Sequence, residues 1–369
     1  MLAELVDDPA RLEQVRAEWD ELAVACVSPF SAPAWMLAWW RNAAPSGARL
    51  QAVLAFEGEE LVGVAPFFTD GESHRLLASS TSTGVEPLVA SEREDEFAAI
   101  VAAELALAGA ELVRFHGIER ASQWPRRLAD AWPGRRPWLR VEVSMPAPSV
   151  TFDVATFDEW LATLNPKFRK NMRRLGRRLE EQDAVYRLAA ADDVERDLRS
   201  FAALHHARWA GKGGSGVLNE DIERMLAEAA RELVPQGRLR LWSLEVGGRT
   251  IASELFVAAG RKVSSWLGGF DDEWAQFEPS KHLILREIER AFAEHAVWVD
   301  LGPGAHDFKL RFANDAEQVE WTVLVPRGPA YARTRLRLAP RQLRRAVGDR
   351  LGPERKHTVK RLLRMEPRG

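Results

Sequence analysis

The 369-residue sequence predicts an α/β fold built as two halves of like order. Three observations carry that expectation. Helical periodicity and strand alternation follow one another as helix, helix, strand, strand, strand, helix, strand, and the order occurs twice. The length suits two domains of ordinary size better than one small one. Hydrophobic residues make up 46 % of the chain and charged residues 28 %, so each half can bury a core of its own.

The first half, residues 1–150, opens with a helical pattern from Pro9 to Cys26 and a second around Pro33 to Asn42. Strands are expected at Leu50 to Phe56 and Glu60 to Phe68, joined by the polar turn Glu57-Gly58-Glu59, with a third at Arg75 to Ser79. An Ala-rich helix from Glu94 to Ala108, apolar on one side, suits a cover on a sheet, and a strand from Glu111 to His116 follows.

The second half, residues 151–326, begins with a basic helix. Asn165 is its N-cap and Pro166 its first residue. Phe168, Met172, Leu175 and Leu179 form a narrow apolar stripe, and seven Lys and Arg cover the rest of its surface for water or phosphate. Helices are expected at Asp193 to Trp209 and Glu220 to Leu233, then strands at Leu239 to Val246 and Thr250 to Ala258 around the hairpin signal Gly247-Gly248. A strand from Lys262 to Gly268, a helix from Ser280 to His295, and a strand from Val297 to Leu301 complete the repeat. A Gly-Pro-Gly turn, a short helix near Phe308 and a last strand at Val319 to Val325 close the half.

Residues 327–369 carry fourteen Lys and Arg against three acids, a charge of +11, which leaves the body at −14 within a net charge of −3. The sheet is expected to end near Val325, so this basic helical C-terminal tail should be dispensable for folding. It could lie on an anionic membrane surface, bind an acidic partner, or dock on the acidic body. The single Cys26 excludes an intramolecular disulfide and a Cys-based metal cluster and reads as a small core residue. His205 and His206 are adjacent, so they diverge on a helix and cannot chelate a metal together. The expectation is therefore no metal. Without an apolar run of about 18 residues or a signal-like start, the chain reads as cytoplasmic. Trp35, Trp39 and Trp209 stand at helical core spacing.

Several local patterns resemble one family. They are Pro29-Phe30-Ser31-Ala32-Pro33-Ala34-Trp35 with Trp39-Trp40, Leu61-Val62-Gly63-Val64-Ala65-Pro66-Phe67, and the basic stretch from Lys167 to Arg178. Leu204-His205-His206-Ala207-Arg208-Trp209 follows, and then a closing block of Gly269-Phe270-Asp271, Pro279, and Asp300 through Lys309-Leu310-Arg311-Phe312. Over about residues 20 to 326 the chain resembles the tandem branch of the GNAT superfamily, with the CelD-like acetyltransferases and, more distantly, the Fem-type peptide-bridge transferases. The resemblance implies two tandem GNAT-like domains, each a mixed twisted sheet flanked by helices. It also implies acyl transfer, with acetyl-CoA or another acyl-CoA as co-substrate.

Such a donor needs its phosphates held, its carbonyl oxygen stabilised, and the acceptor deprotonated. Through the resemblance, the loop from Trp274 into the helix at Ser280 is the phosphate cradle, with Gln276, Ser280, Lys281 and His282 as its binding residues. Pro279 and Lys281 stand where the family has glycines, so an ordinary capped helix is the competing reading. Lys309 matches the family's closing Tyr-Lys pair and is the candidate for a donor phosphate or an oxyanion, while Phe308 replaces the tyrosine. Glu254, mid-strand, is either a general base or a solvated strand carboxylate. Asp300 ends a strand and either binds substrate or caps the turn, and His306 is either an acid–base group or a surface residue.

The leading expectation is an acyltransferase acting on an amine or hydroxyl of a small molecule or cell-envelope precursor. A Fem-type aminoacyl transfer from charged tRNA, with the basic helix facing RNA, is the alternative, opposed by the acidic body. A non-catalytic partner protein is a third.

Overall fold

The computed structural model describes residues 1–339 other than Glu72 and Lys212. In the first half β1 (Leu2–Val6) leads through α1 (Pro9–Gln14), α2 (Arg16–Ala25) and α3 (Pro33–Ala43) to β2 (Arg49–Glu57). Then come β3 (Glu60–Thr69), β4 (His74–Leu76), the short β5 (Leu88–Val89), α4 (Glu94–Leu107) and β6 (Val113–Glu119). α5 (Trp124–Asp130), β7 (Trp138–Thr151), α6 (Phe157–Thr163) and α7 (Pro166–Glu180) lead into the second half. That half runs β8 (Val185–Leu188), α8 (Val194–Ala210), α9 (Glu220–Leu233), β9 (Leu239–Val246), β10 (Arg249–Ala259) and β11 (Lys262–Phe270). α10 (Pro279–Ala293), β12 (Trp298–Asp300) and β13 (Asp315–Val325) complete it.

One mixed sheet joins both halves in the order β1-β2-β3-β4-β6-β13-β7-β12-β11-β10-β9-β8, with β5 beside β3. The two ends mirror each other. β1 to β4 pair antiparallel and β4 runs parallel to β6, just as β8 to β11 pair antiparallel and β11 runs parallel to β12. The duplicated order read from the sequence is therefore a duplicated topology. Its closing strands are exchanged. β7 follows β6 in the chain but pairs with β12, and β13 follows β12 but pairs with β6. β7 and β13 then pair with each other along their length. A boundary at 150/151 in chain order does not divide the sheet, since each half is completed by a strand from the other.

β7 carries Pro146 and Pro148, which argue against a central strand. The structure resolves the conflict. The carbonyls of Pro148 and Pro146 accept from Leu301 N–H (3.0 Å) and Gly304 N–H (2.8 Å), so these residues face the side where β12 has ended. A strand residue presents N and C=O on the same side, so the missing N–H groups cost nothing in the ladder with β13.

The main core is continuous across the halves, with α2, α3, α8 and α9 covering β2, β3, β9 and β10. Trp19 and Trp35 are fully buried, and each indole N–H has a partner, Ser31 O and Ser82 Oγ, both at 3.0 Å. Side chains of this kind each contribute about 1.5–3 kcal/mol or more through burial. Asn42 and Arg41 on α3 both reach Glu228 on α9, and Arg238 reaches Asp20 at 2.6 Å. A second core lies under α6, α7 and α10. Asn165 caps α7 by accepting from Lys167 N–H at 2.9 Å, and its four apolar stripe residues are buried. Cys26 is half-buried against the Val89 carbonyl, with burial pushing its thiol pKa up.

Two expectations are corrected here. Trp209 is 37 % exposed, since the last turn of α8, after His205, buries none of its residues. The body also does not stop at Val325. Residues 331–339 form a helix whose Leu338 is buried with Leu112, Val323 and Val325, and Arg335 sits 3.6 Å from the Trp138 ring centroid. The rest of the basic tail, with its expected helices and lipid-facing stripe, lies outside the described residues. No helix among the described residues is long and apolar enough to cross a membrane.

Candidate active site between the halves

β11 bonds to β12 only from Lys262 to Ser264, opposite Trp298 to Asp300. On its other side, β11 places Trp266 and Leu267 opposite Leu255 alone, since the paired positions jump from Phe256 with Ser265 to Glu254 with Gly268. Such a bulge bends the strand, and beyond Ser264 the two neighbours part. The turn Gly302-Pro303-Gly304 enters that opening, with Gly302 and Gly304 at φ +79° and +94°, where only glycine is unstrained.

Glu254 stands at the opening, 8 % exposed, over Gly268. A Cβ at Gly268 would lie 2.0–2.2 Å from its carboxylate atoms, so the missing side chain is what makes room for the acid. Burial pushes Glu254 up to about 7, while the Ser280 hydroxyl and the charges of Arg208 and Lys309 pull the other way. Lys309 is 9 % exposed and donates to the carbonyls of Gly302 and Pro303, both at 2.9 Å. Burial lowers its pKa to about 8 against the opposing pull of Asp300 and Glu254. An ammonium has three protons, so one stays available for a reacting oxygen. Asp300 accepts from Gly302 N–H at 2.8 Å and so holds the turn that holds Lys309. Burial raises its pKa and Lys262 opposes the rise.

Behind this pair, charge continues across the halves. Lys262 forms a buried ion pair with Glu119 of β6, and its ammonium lies 4.1 Å from the Trp298 ring centroid. Burial works against the Lys262 charge, but Glu119 and Asp300 outweigh it and raise its pKa. Glu86, from the first half, is pushed up to about 7 by burial and by Glu119. The Trp266 indole donates to Thr81 O at 2.9 Å, a second tie between the halves.

His205 braces the other wall. Ser215 Oγ accepts from Val217 and Leu218 N–H, so its own proton goes to His205 Nε2 at 2.9 Å. The imidazole then carries its hydrogen on Nδ1 and donates it to Gly268 O at 3.2 Å. Gly269 allows α8 this close, since a Cβ there would meet His205 N at 2.7 Å.

The structure brings Glu254, Asp300 and Lys309 together and leaves His306 apart. His306 is exposed and stacks on Phe308, with centroids 6.2 Å apart. The four residues of the expected phosphate cradle scatter. Gln276 is exposed on the short helix Asp272–Phe277, and Lys281 pairs with Glu278 at 2.6 Å. His282 is buried toward α7 and held to a pKa of about 4 by burial, while Ser280 faces Glu254. The entrance of α10 is a poor diphosphate cradle. Pro279 has no N–H, Lys281 N–H donates to Glu278 O at 3.0 Å, and the Glu278 carboxylate stands at the end where an anion would sit.

Sequence reasoning missed Arg208, His116 and the Lys262–Glu119 pair. Arg208 stacks on Phe270 at 4.3 Å and acts on Glu254. The doublet Gly268-Gly269 within a strand was the available signal, since such glycines mark close approach. Two concavities flank the site. A cavity of about 240 Å³ between the halves is lined by Ser79, Thr81, His116, Ser265 and Pro303. A wider one of about 760 Å³ runs along α8 to Arg208 and Phe270.

Residues 166–310 match the family model of the Acetyltransferase (GNAT) domain. No curated protein matches the chain in sequence. Among solved structures the chain is similar to FemX, with a TM-score of 0.60, 12 % identity, and 90 % of this chain and 99 % of that chain covered. It is similar to the C-terminal domain (DUF2156) of a putative lysylphosphatidylglycerol synthetase from Agrobacterium fabrum, with a TM-score of 0.57, 12 % identity, and 89 % and 95 % covered. The L-PGS from Bacillus licheniformis gives 0.54 and 12 %, with 89 % and 96 % covered. At such identity the likeness is one of fold, and it runs through both halves.

Proposed function

We infer, for a chain whose residues 166–310 match the Acetyltransferase (GNAT) domain model, that the protein transfers an acyl group onto an amine or hydroxyl at the Glu254–Lys309 site. The observation that carries the reading is this pair. A buried carboxylate near 7 and a buried ammonium near 8 lie together where β11 and β12 part.

Glu254 takes the proton of the attacking amine or hydroxyl, and a pKa near the working pH suits a group that must accept and return it. The new bond forms to the acyl carbon, the bond to the leaving group breaks, and Glu254 returns the proton to that group. Lys309 offers its third N–H to the carbonyl oxygen as negative charge develops, and the buried setting strengthens that contact. Asp300 and the Gly302 and Pro303 carbonyls position Lys309. The hydroxyl-lined 240 Å³ cavity suits a polar acceptor, which we assign to small molecules or envelope precursors.

A GNAT domain implies an acyl-CoA donor as a class, with acetyl-CoA the first to test. The occupied entrance of α10 favours a second donor. In that reading the acyl group arrives on tRNA, as in Fem-type transfer, and the fold likeness to FemX supports it. One calorimetric comparison tests both. Acetyl-CoA and aminoacylated tRNA are titrated into wild type and Glu254→Gln, and acyl transfer to a panel of amines is followed. Saturable binding of one donor, with transfer lost in the variant, supports the reading. Absence of transfer from either donor by folded wild type overturns it.

A further inference from the structure

The groove between α7 and α10 lies outside the Glu254–Lys309 site and has a volume of about 370 Å³, within the usual small-molecule range of roughly 300–1,000 Å³. Its α7 side carries Arg169, Arg173 and Arg177, and α10 adds Arg286. Among the described residues no Lys or Arg of α7 forms an ion pair, although the helix holds seven. Two carboxylates also face the groove. Glu289 is tied to Arg286 at 3.0 Å, and Glu180 stands exposed at the end of α7. The balance is cationic.

The floor is apolar, made of Phe157, Leu161, Met172 and Leu285. The His282 ring lies against Gly176 of α7, with its Cε1 at the ordinary contact distance of 3.5 Å from where a Cβ would stand. His282 is 8 % exposed, lines the groove, and its buried Nε2 has no hydrogen-bond partner. A buried nitrogen left unpaired carries a cost that a bound polar group would relieve.

We propose that this groove binds an amphiphilic organic anion. Its phosphate or carboxylate head sits on Arg169, Arg173 and Arg177 within reach of His282 Nε2, and its alkyl or aromatic body lies on the apolar floor. Guanidinium groups match such heads bidentately. An inorganic ion would leave the floor wet. A nucleic-acid backbone would engage the outer cations Lys170 and Arg174, which do not line the groove.

The test is calorimetry of the full chain with decyl phosphate below its micellar concentration, beside inorganic phosphate, decanol and tRNA. One saturable site for decyl phosphate is expected, with phosphate and decanol each about tenfold weaker or more. The surface variant Arg173→Glu/Arg177→Glu and the variant Leu161→Glu should each weaken it by about tenfold or more. Glu254→Gln should bind it as wild type does, so this result is independent of the catalytic reading. Unchanged affinity in both groove variants, with wild-type melting, overturns the proposal. So does tRNA binding that the double variant abolishes while decyl phosphate shows none, since the face then reads a polyanion.

Discussion

Replacing Glu254 with glutamine keeps the shape of the side chain and removes its charge. The acid is buried over Gly268, and burial lifts its pKa from an ordinary 4.5 to about 7. The folded protein therefore holds this proton more tightly than the unfolded chain. The associated stability is present below pH 4.5 and is lost as pH rises through 7. Worked through the linkage relation, the loss between pH 5 and pH 8 is about 2.5 kcal/mol. Glu254→Gln does not share it. For a chain of this length, with an unfolding entropy of about 2.1 cal/mol/K per residue, that corresponds to about 3 °C. The assay is calorimetric melting of both proteins at pH 5, 6, 7 and 8. The melting temperature of the variant relative to wild type should climb by about 3 °C across the series. Acyl transfer by the variant should fall by about 10²–10⁴ at pH 7–8 and by less at pH 5, where Glu254 of the wild type is itself protonated. A melting difference that stays flat with pH would show a solvated carboxylate and refute the reasoning, whatever the kinetics.

Lys309→Ala should cost about ten- to a hundredfold in kcat/KM, and Lys309→Arg should recover part of it, since a planar fork cannot satisfy both turn carbonyls as an ammonium does. In wild type, kcat/KM should rise as Glu254 ionises near pH 7 and fall as Lys309 loses its proton near pH 8, a narrow bell measured by initial rates. Gly268→Ala should displace the Glu254 carboxylate, because the new methyl would lie 2.0–2.2 Å from it, and should lower activity much as Glu254→Gln does. Leu338→Ala should destabilise by about 2–5 kcal/mol in a denaturant melt, where a dispensable tail would give no change.

The elements legible from sequence are those whose own pattern is strong. α7 shows its cap, its proline and its stripe, and α9 and α10 keep a helical period. β2, β3, β9 and β10 are apolar runs bounded by turns. β1 and β8 were not legible because they are short edge strands with little buried surface. β7 was hidden by two prolines that matter only according to which neighbour they face. Of the site, Asp300 stood out before a Gly-Pro-Gly turn and Glu254 as an acid in an apolar strand, while Lys309 was marked through the family resemblance. Arg208, Glu119 and Lys262 did not, because a charged residue in a helix or at a strand end looks like any solvated one.

The sequence by itself determined the doubled order of elements, since periodicity and turn chemistry act over a few residues and survive without the partner half. Tertiary structure decided what that doubling means. The exchange of β7 and β13 depends on which strand edge is free when each half closes, and pairing across well over a hundred residues leaves no local mark. The same holds for the chemistry. Glu254 and Lys309 are 55 positions apart in the chain, and their pKa values move toward each other only because the opening between β11 and β12 buries both, with burial outweighing the attraction between their charges.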